Sequence, residues 1–257
     1  MPLSSPWDLY DALLDELPAD LRVARGLVGR AWTLVEAGGM GLAMTHRDEV
    51  QPATQRLPLA GRPLRTVAAA VKSWNVREAA IGLAALNAWV NDRRRLEEQT
   101  GQTFSVCQAE PVFSTMRDEI AGRRVAVIGH FPGIEALREH CQLTVLERAP
   151  QPGDLPDFAA EYVLPGQDHV FITGTTLVNK TLPRLLALCA GAQVVLVGPS
   201  VPLTPRWFGW GVSVLAGTVV VDPERLWQAV AEGSLMEIWS EGAATVQLRP
   251  ADFGRVR

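Results

Sequence analysis

Four turns hold most of the side chains that could do chemistry. The apolar run Val125–Ile128 ends on Gly129-His130-Phe131-Pro132-Gly133, and Leu143–Leu146 ends on Glu147. His169–Ile172 ends on Thr173-Gly174-Thr175-Thr176-Leu177-Val178-Asn179-Lys180-Thr181, and Val194–Val197 on Gly198-Pro199-Ser200. The imidazole of His130 suits a metal ligand or a general acid–base; it could equally hydrogen-bond the backbone of its turn. Glu147 lies 18 residues after Gly129. A carboxylate at about that distance can accept from a ribose hydroxyl or face a cation, or pair with the neighbouring Arg148.

Two phosphate-binding patterns come close without being met. A dinucleotide fingerprint reads Gly-x-Gly-x-x-Gly. Here Phe131 stands at the second glycine and Pro132 lacks an N–H donor, so an ordinary NAD site is disfavoured. Gly174 to Thr181 matches the P-loop pattern except that Asn179 replaces the second glycine. Asn tolerates positive φ better than other non-glycine residues. No magnesium-binding acid follows on a later strand, which argues against nucleoside-triphosphate hydrolysis. What survives is an anion-friendly concavity: N–H groups at a helix start, the Thr175 and Thr176 hydroxyls and the Lys180 ammonium. The plainer alternative is that the threonines only cap the helix. Asp168-His169 precedes its strand, at the opposite edge from these turns. Ser200 lacks the Gly-x-Ser-x-Gly elbow of a hydrolase nucleophile.

Short, continuous, β-branched runs followed by glycine are the signature of strands buried on both faces of a parallel sheet. Such sheets bind ligands at their carboxyl edge, and that edge is where the turns above fall. Helices are expected at 133–139 and 179–189, a short strand at 161–164, and one or two last strands within 212–221. Asp222-Pro223-Glu224 starts a further helix. The N-terminal part reads differently. A helix over 7–17 precedes strands at 21–28, 31–36 and 40–44, an antiparallel meander. Gly41 could let another backbone or a ligand approach, or simply mark a tight sheet contact, and His46-Arg47 reads as a solvated loop in preference to a ligand role. Helices follow at 64–71 and from Val76 to about Asn91, the second opened by Asn75 with Glu78 in a variant capping box. Its small residues suit close packing on a sheet, and Asn87 on it is expected to hydrogen-bond backbone. Asp92 to Glu98 is a charge run at a helix end, and the polar stretch 99–103 is the candidate linker. The expected organisation is therefore an α+β unit, 1–100, and a parallel α/β unit, 101–257.

Composition narrows the partners. Hydrophobic content of 47% with 20% charged residues fits a globular chain. The net charge of −4, with signs interspersed, disfavours nucleic acid. No apolar run approaches the roughly 18 residues of a membrane span, and no signal peptide is apparent at the N-terminus. Cys107, Cys141 and Cys189 are widely spaced, which suits buried thiols in a reducing cytoplasm and not a zinc cage. Self-association into a homo-oligomer is left open. An exposed Trp207/Trp210 patch would point to an interaction module.

The runs 127–132, 146–148, 172–181 and 197–200 resemble the signature segments of the putative heavy-metal chelation domain family. Ser73-Trp74-Asn75 and 81–88 resemble its accompanying N-terminal domain, which is similar to the enolase N-terminal domain. The resemblance covers roughly residues 10 to 250. It implies a Rossmann-like, mostly parallel sheet with helices on both faces, joined to a small enolase-N-terminal-like α+β domain, with a site at their junction. The ligand it implies is a heavy-metal ion, a metal complex or a small anionic molecule. His130 and Glu147 would be metal ligands. Gly129, Phe131, Pro132, Thr173 to Thr176, Asn179, Lys180 and Gly198 to Ser200 would line the ligand site. The alternative is an enzyme acting on a small anionic or nucleotide-like metabolite, with His130 as acid or base and Lys180 stabilising negative charge.

Overall fold

A computed structural model describes residues 5–46, 58–106, 112–234 and 237–254. Cys107 and Arg47 lie outside the described residues. In chain order the helices are α1 (Trp7–Leu14), α2 (Leu64–Ala68), α3 (Val76–Val90), α4 (Arg93–Thr100), α5 (Val112–Thr115), α6 (Arg117–Ile120), α7 (Ala160–Val163), α8 (Leu182–Leu188) and α9 (Pro223–Ala231). The strands are β1 (Arg25–Val28), β2 (Trp32–Ala37), β3 (Gly39–Met44), β4 (Arg124–Ile128), β5 (Gln142–Glu147), β6 (Leu155–Pro156), β7 (His169–Thr173), β8 (Gln193–Val197), β9 (Val212–Val220) and β10 (Ala243–Leu248).

Strands β1 to β3 form an antiparallel meander, and the rest form one sheet in the order β10-β9-β8-β7-β4-β5-β6. All pairs in the larger sheet are parallel except β9–β10. The strand order reverses direction at β4, between β7 and β5, which opens a crevice at the carboxyl ends there. Alternate residues of the buried strands serve opposite faces. Ala126, Ile128, Val170 and Ile172 pack toward α3 and α8. Val125, Val127, Phe171 and Val195 pack toward Val112, Met116, Ile134 and Leu137. Both faces are thus covered, and a continuous apolar reading of these strands follows.

The small sheet is wedged into the larger unit. One face lies on α3, where Gly41 and Gly82 bring backbones into contact: a Cβ on Gly41 would sit 2.0 Å from the Ala84 carbonyl oxygen, and one on Gly82 2.0 Å from the Val71 nitrogen. The other face, with Trp32, Leu34 and Leu42, packs on Leu226 and Val230 of α9. Two buried amides, Asn87 on α3 and Asn91 at its C-terminal cap, tie this helix to the segment from Ser200 to Leu203. Asn87 Nδ2 donates to the Leu42 and Ser200 carbonyls at 2.9 and 3.3 Å. Asn91 donates to the Val201 carbonyl and accepts from Leu203 N–H, at 2.9 and 2.7 Å. Helix α3 is capped by Asn75 Oδ1, which accepts from Glu78 N–H, and α9 by Asp222.

Several elements differ from the sequence reading. Residues 134–139 form a 3-10 helix, and 161–164 fall largely in α7 where a strand was expected. Helix α8 begins only at Leu182, after a separate 3-10 turn over 174–177. The charge run 93–98 belongs to a separate helix, α4, capped by Asp92, so the polar stretch 99–103 begins inside a helix. Strands β6 and β10 were not foreseen. Trp207 is fully buried, its indole N–H donating to the Pro202 carbonyl at 2.7 Å. The tryptophan pair therefore forms no exposed interaction patch.

Candidate functional site

The carboxyl ends of β4, β5 and β7 open into a cleft of about 460 Å³. Ile128, Gly129 and Leu146 form its floor. Glu147, Arg148, Asp157 and Phe158 form one wall, and Thr173, Thr175, Thr176, Asn179 and Thr181 the other. His46, just past β3, closes it from the small sheet. The cleft has hydroxyl and amide groups on one side and charged groups plus an exposed phenyl ring on the other.

Glu147 is held by the turn it faces. It accepts from the backbone N–H groups of His130, Arg148 and Ala149, at 2.9, 2.7 and 3.2 Å. A carboxylate offers about four lone-pair sites, so most of its acceptor capacity is already committed. On the opposite wall Thr173 Oγ1 accepts from Thr175 N–H and lies 3.1 Å from the Thr175 hydroxyl. Thr176 Oγ1 donates to the Thr173 carbonyl at 2.6 Å, and Asn179 Oδ1 accepts from both N–H and hydroxyl of Thr181. The threonines thus cap a 3-10 turn and line the cleft at once. Gly174 is fixed by crowding, since a Cβ there would lie 2.7 Å from the Val201 nitrogen.

Phe131 occupies the other side of the crevice. Its ring packs edge-on against Phe113, with centroids 5.4 Å apart, and lies close to Gly129 and Gly198. The space a pyrophosphate would need beside Gly129 is filled by a phenyl ring.

The remaining expected site residues are placed elsewhere. Lys180, and not Asn179, carries the positive φ of this loop, at 65°. Its ammonium donates to the carbonyls of Ser73 and Val178 and does not line the cleft. Burial pushes its pKa down to about 8. Ser200 is buried, with its hydroxyl accepting from Met44 N–H at 2.9 Å. The turn Gly198-Pro199-Ser200 therefore docks the small sheet and forms no part of the cleft lining. Asp168 pairs with Arg124 at the amino edge of the sheet, as its place before the strand predicted.

His130 turns away from the cleft. Its Nδ1 lies 2.9 Å from Asp154 Oδ2, and Glu135 completes a group whose donor atoms lie within 4.8 Å of one another. The Asp154 side chain is wholly shielded from solvent, and its Oδ1 has no hydrogen-bond partner. Neither Asp154 nor Glu135 was singled out from sequence. They sit in a proline-rich loop and a 3-10 turn, and no spacing relates them to His130. His46 also read as a loop residue; only its position at the end of β3 hinted at the cleft.

One family profile described as putative heavy-metal chelation matches residues 112–249, and a second with the same description matches 10–90. This chain belongs to the putative heavy-metal chelation family. An uncharacterized protein of Methanocaldococcus jannaschii is 31% identical over 207 residues, 76% of each chain. The crystal structure of a DUF364-family protein of unknown function from Desulfitobacterium hafniense is 38% identical, with a TM-score of 0.88 over 96% of this chain and 100% of that one. A second, from Pyrococcus horikoshii, is 25% identical, with a TM-score of 0.77 over 95% and 99%. The shared α/β fold is thus that of the family.

The family description implies a metal, and the donors present decide which kind fits. Soft ions select thiolates. Cys141 and Cys189 are buried, and burial raises both thiols, Cys189 to about 12. Neither belongs to the His130 group. An imidazole with two carboxylates, one holding an unpartnered buried oxygen, fits a borderline divalent ion.

Proposed function

We propose that the chain binds a small metal complex, with the complex seated in the cleft between its N-terminal and C-terminal units. The observation that carries this reading is the cleft's lining: three carboxyl-terminal strand ends, a wall of threonine hydroxyls and His46 from the small sheet converge on one volume. Hydroxyl and amide groups both donate and accept, so they suit the oxygen-rich periphery of a chelator. Arg148 offers a charge-assisted bond to a ligand carboxylate. Phe158, 75% exposed, supplies an apolar lid for a flat organic face. Glu147 retains capacity for one further hydrogen bond. Units at 1–100 and 101–257, the first enolase-N-terminal-like as the family resemblance implies, belong to the same reading, as does a cytoplasmic setting for the free thiols.

The alternative, an enzyme acting on an anionic or nucleotide-like metabolite, needs Lys180 in the cleft, and its ammonium is engaged with Ser73 and Val178. The test is thermal stability of the full chain with zinc or cobalt salts, with the same ions as citrate complexes, and with inorganic phosphate. Binding to the native state raises Tm by mass action. The citrate complexes are expected to add a shift beyond that of the ion, and Thr175→Val or Arg148→Ala to remove that increment. A complex-induced shift identical in both variants, or no shift with any complex, overturns the reading.

A further inference from the structure

We propose that His130, Glu135 and Asp154 form a divalent-cation site on the turns after β4 and β5, separate from the cleft. The three donors come from the β4 turn, the 3-10 helix after it and the proline-rich loop before β6. They are brought together only by the parallel pairing of β4 with β5.

Asp154 is the residue that points to a ligand. One carboxylate oxygen, Oδ2, accepts from Gln151 N–H at 3.0 Å and faces His130. The other, Oδ1, is buried with no partner in a side chain that has no solvent contact. Leaving a buried carboxyl oxygen unsatisfied is costly, and a cation held on the same carboxyl group lowers that cost. The His130 Nδ1 to Asp154 Oδ2 separation is 2.9 Å. Donors around an ion at 2.0–2.2 Å lie roughly 3.3–3.6 Å apart at tetrahedral angles and roughly 2.8–3.1 Å apart at octahedral ones, so the pair is spaced as two adjacent ligands of a six-coordinate ion. The imidazole would offer the Nδ1 lone pair, with its proton on Nε2. Glu135 is exposed and closes the set from the solvent side.

Three protein donors, one nitrogen and two oxygens, leave coordination positions for water. That set suits zinc, cobalt(II) or nickel(II), and lacks the sulfur that mercury, cadmium or copper(I) prefer. Two carboxylates and a neutral imidazole balance the charge of a divalent ion. Arg138 is the built-in competitor: its Nε donates to Glu135 Oε2 at 2.6 Å, and its Nη2 to the Gly153 carbonyl at 3.4 Å. An ion must displace that guanidinium from Glu135.

The experiment is calorimetric titration of the full chain with zinc chloride, paired with the visible spectrum of the cobalt(II) form. One ion per chain is expected. His130→Ala and Asp154→Asn should each weaken binding at least tenfold and alter the cobalt bands. Glu135→Gln, a surface change that spares folding, should weaken it several-fold. Arg138→Ala should tighten it several-fold. Thr175→Val in the cleft should leave the ion's affinity unchanged, so failure of the cleft reading and failure of this one are told apart. No zinc or cobalt binding up to millimolar concentration overturns the site. So does affinity that is unchanged in Glu135→Gln and Arg138→Ala.

Discussion

The packing of β3 on α3 sets the position of the cleft's N-terminal wall, and Gly41→Ala tests it. The added Cβ would lie 2.0 Å from the Ala84 oxygen, 2.1 Å from the Ala88 nitrogen and 2.6 Å from the Asn87 carbonyl carbon. All three atoms are backbone, so no rotamer change relieves the contact. Ordinary contact begins near 3.4 Å, so helix and strand must part by about 1.4 Å. Overpacking of this kind costs roughly 1–3 kcal/mol. The same displacement stretches the bonds from Asn87 Nδ2 to the Leu42 and Ser200 carbonyls, and buried polar groups left unpaired cost about 1–3 kcal/mol more. The expected total is about 3–5 kcal/mol, which for a chain of this size lowers Tm by on the order of 10 °C. Urea unfolding followed by tryptophan fluorescence and by calorimetry measures it. A loss under about 1 kcal/mol would refute the close-approach account of Gly41 and, with it, the rigidity assigned to the β3–α3 contact.

Three further outcomes follow from the same geometry. Lys180 has its pKa lowered to about 8 by burial, against 10.5 in the unfolded chain. Between those values the folded state has released a proton that the unfolded state keeps. Its contribution to stability is therefore present above pH 10.5 and lost as pH falls through 8. Relative to Lys180→Met, the native chain should gain about 1 kcal/mol between pH 7.5 and 9.5, a figure discounted for partial exposure and for the two carbonyl acceptors; urea midpoints at both pH values report it, and a pH-independent difference contradicts it. Glu147→Gln replaces an acceptor of three backbone N–H groups by an amide with one oxygen. It should cost about 1–3 kcal/mol and speed hydrogen exchange at the His130 amide, whereas unchanged exchange would show that Glu147 does not hold the turn. In a Cys107→Ser background, Cys141 and Cys189 should resist iodoacetamide at pH 8 until the chain unfolds, since burial raises both thiols; mass spectrometry showing labelling of the native form would contradict their burial.

Local sequence determined the buried parallel strands, the caps and the sheet edge at which the cleft opens, but not β6 or β10. A run such as Val125–Ile128 is apolar at every position because both faces of β4 are covered, and periodicity records that directly. Asn75 and Asp222 are legible as caps because capping is satisfied within four residues. The family resemblance was likewise carried by contiguous runs. What sequence alone did not decide is which side chains share a space. His130 and Lys180 follow neighbouring strands, yet one meets Asp154 and the other reaches Ser73, just before α3. The turns at 134–139 and 174–177 are 3-10 helices, and their termini are set by contacts with distant chain: Ser200 and Val201 crowd Gly174, and Phe113 packs on Phe131. Side-chain direction past a strand end depends on such contacts and has no period to read. Asp154 came to His130 only through the pairing of β4 with β5, and His46 reached the cleft only because α3 and α9 grip the small sheet from both sides.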